Sequence, residues 1–274
     1  MEKMKKAERM QKLGRFLRHP IRQIAFKKWK KQMVSNEPIV RAGVGRKLLD
    51  AVNDDWDISE IEKDIKKYID DNGVESAVKA LVRHYGYKNE KADDSLLKHP
   101  EKRLRDVAVG ELVESYGTSP ERVIELLKHE NPEIRRRMAH RIIERNKRCI
   151  FRKEKEEVLL VLEKNAFNDP EDKVRYANMM ALGACYFNDA GYINGGKEKL
   201  LELLNHEDMT VRRSIAYMLQ GTVDEDGFQK AIELLEGNTH DEAPVVESAK
   251  VTTLSNVYYL TENKEKLQEL TEEE

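Results

Sequence analysis

The feature that most constrains this 274-residue chain is a pair of aliphatic residues, eight positions apart, that recurs seven times at intervals of 30 to 40 residues. One helical hairpin of this size cannot bury its own apolar face, so several must stack and cover one another. The repeat therefore predicts an all-α chain of about seven helical hairpins. The first residues of the pairs are Val40, Val74, Leu104, Ile134, Val174, Val211 and Val246, and the second are Leu48, Val82, Leu112, Ile142, Leu182, Leu219 and Leu254.

An arginine directly follows the first aliphatic residue in five copies, and we call it the repeat arginine. At about 100° per residue, it lies at the edge of the apolar stripe of its helix. A guanidinium there needs acceptors from neighbouring helix ends, so we expect a structural role rather than ligand contact. The five are Arg41, Arg105, Arg135, Arg175 and Arg212, while copies two and seven carry Glu75 and Glu247.

Four copies share a longer frame, with a short hydrogen-bond acceptor six residues before the repeat arginine. These segments are 96–105, 126–135, 166–175 and 203–212. Together with the aliphatic residue seven places beyond the arginine, the frame resembles the HEAT repeats over roughly residues 34–260. The resemblance implies a superhelical α-solenoid whose second helices line the concave surface, with Asp–Arg ladders between neighbouring repeats. Asp169 and Arg175 match both ladder positions. Histidine takes the Asp position in three copies, at His99, His129 and His206.

Charge and cysteine usage favour an intracellular helical protein. Charged residues make up 36% of the chain, as expected for many exposed faces of amphipathic helices. Cys149 and Cys185 give neither a disulfide framework nor a metal-ligand spacing. No apolar run approaches the length of a membrane span. We therefore expect a cytoplasmic protein without a cofactor, a metal or a membrane span.

The first 33 residues carry 12 Lys and Arg against two Glu, whereas the rest of the chain carries 37 basic and 49 acidic residues. Apolar residues recur at helical spacing through 1–19, which predicts a basic amphipathic N-terminal extension. It either caps the first repeat or binds a phosphate-bearing ligand, an anionic membrane surface or an acidic protein. The repeats then span 20–260, and 261–274 form an acidic C-terminal tail. The candidate contact residues of the extension are Arg9, Lys12, Arg15 and Arg18.

A candidate binding surface comes from positions one, two, five and nine after the repeat arginine, which point away from the apolar stripe. Copies two and seven carry small residues there, at Ser76, Ala77, Ala80, Ser248, Ala249 and Thr252. Copies four to six carry arginine and tyrosine, which are enriched at interface hot spots. We therefore expect either a partner-binding face or a mixed solvated face. The candidate residues are Arg136, Arg137, His140, Tyr176, Met180, Arg213 and Tyr217.

No catalytic residues are predicted. The pairs His129-Glu130 and His206-Glu207 resemble the iron-binding motifs of deoxyhypusine hydroxylase, a HEAT-repeat enzyme, but they precede the repeat arginine, whereas in that family they follow it. We therefore predict a non-enzymatic scaffold whose concave face binds a protein partner with an acidic or phosphorylated surface. The alternative is a nucleic-acid-binding HEAT-like protein, similar to DNA glycosylases or associated with RNA, that uses the basic extension and the central arginines.

Overall fold

The computed structural model describes residues 20–87, 94–116, 120–146, 155–188, 196–222 and 227–272. Every regular element within these ranges is helical, so the predicted all-α class is confirmed. The chain divides into two compact units, Met1–Tyr116 and Gly117–Glu274. The basic extension 1–19, with Arg9, Lys12, Arg15 and Arg18, lies outside the described residues.

In the first unit, the longer helices lie side by side and the shorter helices pack against them. Helix α2 contacts α4, α4 contacts α6, α3 packs on α4 and α5 packs on α6. The rings of Phe26, Trp29 and Trp56 form a cluster that holds α1. The elements are α1 (20–33), α2 (Pro38–Asn53), a 3₁₀ turn (Ser59–Ile61), α3 (Glu62–Asn72), α4 (Glu75–Tyr87), α5 (Asp94–Leu97) and α6 (Lys102–Tyr116).

In the second unit, short and long helices alternate. The long helices α8, α10, α12 and α14 lie next to one another in chain order. Each of the shorter helices α7, α9, α11 and α13 packs against the longer helix that follows it, and α15 packs against α14. The helices are α7 (Pro120–Leu127), α8 (Pro132–Asn146), α9 (Lys155–Asn168), α10 (Asp172–Asn188), α11 (Gly196–Leu204), α12 (Met209–Thr222), α13 (Phe228–Leu235), α14 (Pro244–Leu260) and α15 (Lys264–Glu272).

Helix starts follow from local sequence. Helices α2, α7, α8 and α14 each begin at a proline, whose fixed φ suits the first helical position and whose missing N–H would have no helical partner there. Helix α3 ends at Asn72 and is capped by Gly73, which adopts a left-handed conformation with φ of 59°. This conformation favours glycine because a Cβ would clash with the backbone.

The two aliphatic columns form the core of both units. All seven residues of the second column are buried, as the repeat predicts, and so are five of the first column. Val40 and Val74 are the exceptions and are half-buried. The apolar periodicity therefore identified the buried side of every long helix from α2 onward.

The solvent-facing prediction was wrong for the three alanines of copies two and seven, whereas Ser248 is exposed and Ser76 and Thr252 are half-buried. Ala77, Ala80 and Ala249 are buried. Neighbouring long helices approach each other at these positions: Ala249 clusters with Ala216 of α12, and an added Cβ at Gly45 of α2 would lie 3.4 Å from the backbone nitrogen of Ala77. A small residue there is packed by the adjacent helix instead of facing water.

The C-terminal segment predicted as an acidic tail, 261–274, contains helix α15. Leu270 of this helix is buried, and Lys266 forms an ion pair with Glu236 at 3.2 Å. Within the described ranges, no helix combines the length and the apolar character needed to cross a bilayer.

Candidate functional site

Each repeat arginine ties its own long helix to the turn that precedes that helix. In all five copies, Nη1 of the arginine donates to the carbonyl oxygen six residues earlier, at distances of 2.5 to 2.8 Å. These carbonyls lie in or next to the turn before the long helix, beyond the reach of its own N–H groups. The geometry supports the structural role expected from the helical wheel. The pairs are Arg41–Ser35, Arg105–His99, Arg135–His129, Arg175–Asp169 and Arg212–His206.

At the acceptor position, histidine accepts the same backbone hydrogen bond within the turn as aspartate does. Nδ1 of His99, His129 and His206 accepts the backbone N–H two residues later, at 3.0 to 3.1 Å. Asp169 accepts the equivalent N–H through Oδ1 at 3.0 Å. The substitution is possible because a neutral imidazole nitrogen is an acceptor. The His-Glu pairs therefore belong to turns. Among the described residues, no group of three or more His, Cys, Asp or Glu could hold a metal ion.

Two Asp–Arg pairs join neighbouring repeats in the second unit. Arg135 donates to both carboxylate oxygens of Asp169, at 2.7 and 2.9 Å. Arg212 donates to both oxygens of Asp241, each at 3.0 Å. Asp241 was missed by the sequence analysis because copy seven carries Glu247 in place of the repeat arginine. The signal was present, since Asp241 lies six residues before Glu247.

A third charge joins the second pair. Nζ of Lys250, which is buried, lies 3.2 Å from Oδ2 of Asp241. Burial alone would raise the pKa of Asp241, but the hydrogen bonds from Arg212, the Ala243 N–H and Lys250 outweigh burial and hold its pKa below the usual value. The carboxylate therefore stays ionised between two cations. Arg212 has a structural role and is not available to bind a ligand.

The predicted surface residues meet in a groove formed by α8, α10 and α12, which we call the central groove. Its volume is about 390 Å³. Five of the seven candidates line it, whereas Arg137 and Met180 do not. The lining residues are Arg136, His140, Asp172, Lys173, Tyr176, Arg213 and Tyr217.

Glu133 restrains two of the candidate arginines. Its carboxylate accepts hydrogen bonds from Arg136 at 2.8 and 2.9 Å and from Arg137 at 2.7 Å. The Arg136 hydrogen bonds are the main reason that the pKa of Glu133 is lowered to about 2. The sequence analysis did not use Glu133. Its spacing of three and four residues from the arginines, on one helix face, is the signal that could have found the pairing.

Arg213 differs from these arginines. It forms no ion pair with any described carboxylate, and its buried Nε has no hydrogen-bond acceptor among the described residues. Its Cζ lies 5.9 Å from the centroid of the Tyr176 ring, within the range of a cation–π contact. Lys173, also missed by the sequence analysis, lies in the first turn of α10 and lines the same groove.

Two further titratable groups of the central groove, His140 and Tyr176, are neutral at pH 7. Burial, with a further contribution from Arg136, lowers the pKa of His140, so the imidazole is uncharged. Burial raises the pKa of Tyr176, so its hydroxyl keeps its proton and can donate a hydrogen bond. The groove thus combines aromatic walls with cationic donors, which is the chemistry that binds an anionic group attached to an apolar one.

A scan of the chain against protein-family models and a search of curated proteins found no match.

Proposed function

We propose that this chain is a cytoplasmic α-solenoid of about seven HEAT-like repeats. Support comes from the alternation of short and long helices in the second unit and from the turn that each repeat arginine closes. The ladder pairs Arg135–Asp169 and Arg212–Asp241 give further support, since they join neighbouring copies as in HEAT repeats. The composition and the lack of a disulfide framework support the proposed cytoplasmic location.

Within that architecture, we propose a non-enzymatic scaffold that binds a protein partner through the central groove. The observation that carries this proposal is the convergence of Arg136, His140, Tyr176, Arg213 and Tyr217 from three adjacent helices on one groove. Tyrosine and arginine bury large contact areas and form directional hydrogen bonds, which is why they dominate binding energy in protein interfaces. In the HEAT-like arrangement, these long helices would line the concave face.

The charges favour a protein partner over nucleic acid. A nucleic-acid interface needs several cations that are available to neutralise phosphates. The ladder arginines Arg135 and Arg212 are instead bound to carboxylates, and Arg136 and Arg137 share Glu133. Of the three central arginines Arg136, Arg137 and Arg213, only Arg213 therefore lacks an ion pair with a described carboxylate, which is fewer than the several available cations that a nucleic-acid interface needs.

A pull-down from the native cell tests this proposal. Tagged parent protein is compared with a Tyr176→Ala, Tyr217→Ala double variant and with Leu160→Ala, which changes an exposed residue on the short helix α9. We expect one protein partner to be captured by the parent and by Leu160→Ala, with or without nuclease. The double variant should lose at least about tenfold in affinity, or about 1.4 kcal/mol.

Two results would contradict the proposal. Undiminished capture by the double variant, with unchanged helical circular dichroism, would remove the central groove as the interface. Capture that disappears after nuclease treatment, and falls steeply with salt, would instead support the nucleic-acid alternative.

A further inference from the structure

Of the two arginines that line the central groove, Arg213 is the one whose guanidinium forms no ion pair with a described residue. Arg136 shares the carboxylate of Glu133 at 2.8 Å, whereas Arg213 has no such partner among the described residues. Lys173, exposed in the same groove, also forms no ion pair with a described carboxylate. The one acidic residue among the described lining residues, Asp172, is paired with Arg175. An incoming anion would therefore meet two cations whose charge is not already balanced.

The walls around Arg213 suit a flat apolar group. Tyr176 projects from α10 and Tyr217 from α12, and both line the groove. The guanidinium already lies over the Tyr176 ring, so a second ring can stack against the same planar groups. A cavity of roughly 150 Å³ admits benzene, and the central groove, at about 390 Å³, has room for an aromatic ring with a bulky substituent.

We propose that the central groove binds an aryl phosphate, namely a phosphorylated tyrosine of the protein partner, and that Arg213 binds the phosphate. This inference rests on the proposed protein-binding function. A phosphate carries up to two negative charges and three acceptor oxygens, which match the paired donors of Arg213 together with the ammonium group of Lys173. The ligand ring lies against Tyr176 and Tyr217. A carboxylate side chain such as Glu offers one charge and no ring, so it uses less of the groove.

The test uses the full chain and small probes, so it does not depend on knowing the partner. Phenyl phosphate, inorganic phosphate, phenol and benzoate are titrated while the Nε–Hε resonance of Arg213 is followed by NMR. Its assignment comes from its absence in Arg213→Gln. We expect phenyl phosphate to shift this resonance and to bind at least about tenfold more tightly than the other three probes.

The control variants distinguish binding at Arg213 from a general effect of the protein's positive charge. Arg213→Gln should weaken phenyl phosphate binding at least about tenfold, and Arg213→Lys should weaken it as well, because an ammonium lacks the paired donors of a guanidinium. Arg103→Gln, which removes the same charge from an exposed position on α6 of the first unit, should bind as the parent does.

Several outcomes would overturn the inference. These are phenyl phosphate binding no more tightly than inorganic phosphate or benzoate, affinity unchanged in Arg213→Gln, or displacement of phenyl phosphate by a single-stranded oligonucleotide at lower concentration than by a phosphotyrosine peptide. Partner capture that survives Arg213→Gln but is lost in the Tyr176→Ala, Tyr217→Ala double variant would overturn the role of Arg213 and leave the proposed scaffold function standing.

Discussion

Replacing Asp241 with asparagine should lower the free energy of unfolding by about 3 kcal/mol. The Asp241 side chain is 4% exposed and lies between Arg212 and Lys250, which are 8% and 1% exposed. The substitution keeps the size and one acceptor oxygen but removes the only buried negative charge described in this cluster. Removing one partner of a buried ion pair costs about 3–5 kcal/mol, because the opposite charge stays buried without compensation. The retained acceptor places our estimate at the low end.

Glu242→Gln is the matched control, since it removes a carboxylate from the same arginine at the surface. Oε1 of Glu242 lies 3.2 Å from Nη2 of Arg212, but its side chain is 85% exposed. Exposed ion pairs contribute about 0–1 kcal/mol because water and salt screen them. We therefore expect a loss below about 0.5 kcal/mol for this variant.

Urea titrations followed by far-ultraviolet circular dichroism measure both effects. Adding Lys250→Met to Asp241→Asn should recover part of the loss, since it removes one uncompensated buried cation. A loss below about 1 kcal/mol for Asp241→Asn, or equal losses for Asp241→Asn and Glu242→Gln, would show that the buried carboxylate does not stabilise the fold through its charge.

The same cluster predicts a pH dependence. Because the folded-state pKa of Asp241 is lowered, its contribution to stability is full above the ordinary value of 3.8 and is lost as the pH falls through the lower folded-state pKa. The parent should lose more stability over this acidic range than Asp241→Asn does.

Leu182→Ala should lower the free energy of unfolding by about 2–5 kcal/mol in the same titration, because the residue is 1% exposed and its truncation leaves a cavity. Leu160→Ala, at an exposed position, should lower it little. Equal losses for the two variants would contradict the assigned register. Gly183→Ala should cost about 1–3 kcal/mol because its Cβ would lie 2.6 Å from a side chain of α12, whereas Gly43→Ala has no atom within 4 Å and should stabilise by about 0.5–1 kcal/mol. The half-exposed Glu133 should contribute at most about 1 kcal/mol, present above its ordinary pKa of 4.5 and lost as the pH falls through about 2. Glu133→Gln should remove that acid-dependent part, and an unchanged acid profile would show that the pair does not stabilise the fold.

Much of the fold could be predicted from local sequence. The burial of Leu182 or Leu254 follows from apolar periodicity on one helix, and that periodicity does not depend on what the helix packs against. Proline starts such as Pro120 and Pro132 are equally local. The repeat then implies stacking, since each hairpin needs a neighbour to cover its apolar face. The prediction failed at Ala77 and Ala249, because an outward position on one helix becomes buried when the next helix approaches it closely.

The candidate site was partly predictable for the same reason. The positions of Arg136, Tyr176 and Arg213 on outward helix faces could be read from the wheel, and the Glu133 pairing could have been read from its spacing. The placement of Lys173 beside these residues could not be predicted from the sequence, because this placement depends on how far α10 is shifted along the neighbouring helices.

Sequence patterns alone thus predicted the all-α class, the buried side of each long helix and a structural role for the repeat arginines, because each of these depends on residues within a few turns of one helix. That the arginines bind carbonyls of the preceding turns was seen only in the structure. Which charges cancel between neighbouring copies depends on how the helices pack against one another. Arg135 meets Asp169 from 34 residues away and Arg212 meets Asp241 from 29, and spacings that vary in this way do not follow from any local period. Whether an arginine has a carboxylate partner on the next helix, as Arg135 and Arg212 do, or has none among the described residues, as with Arg213, depends on how the helices pack. Coulomb energy depends on distances between side chains in space.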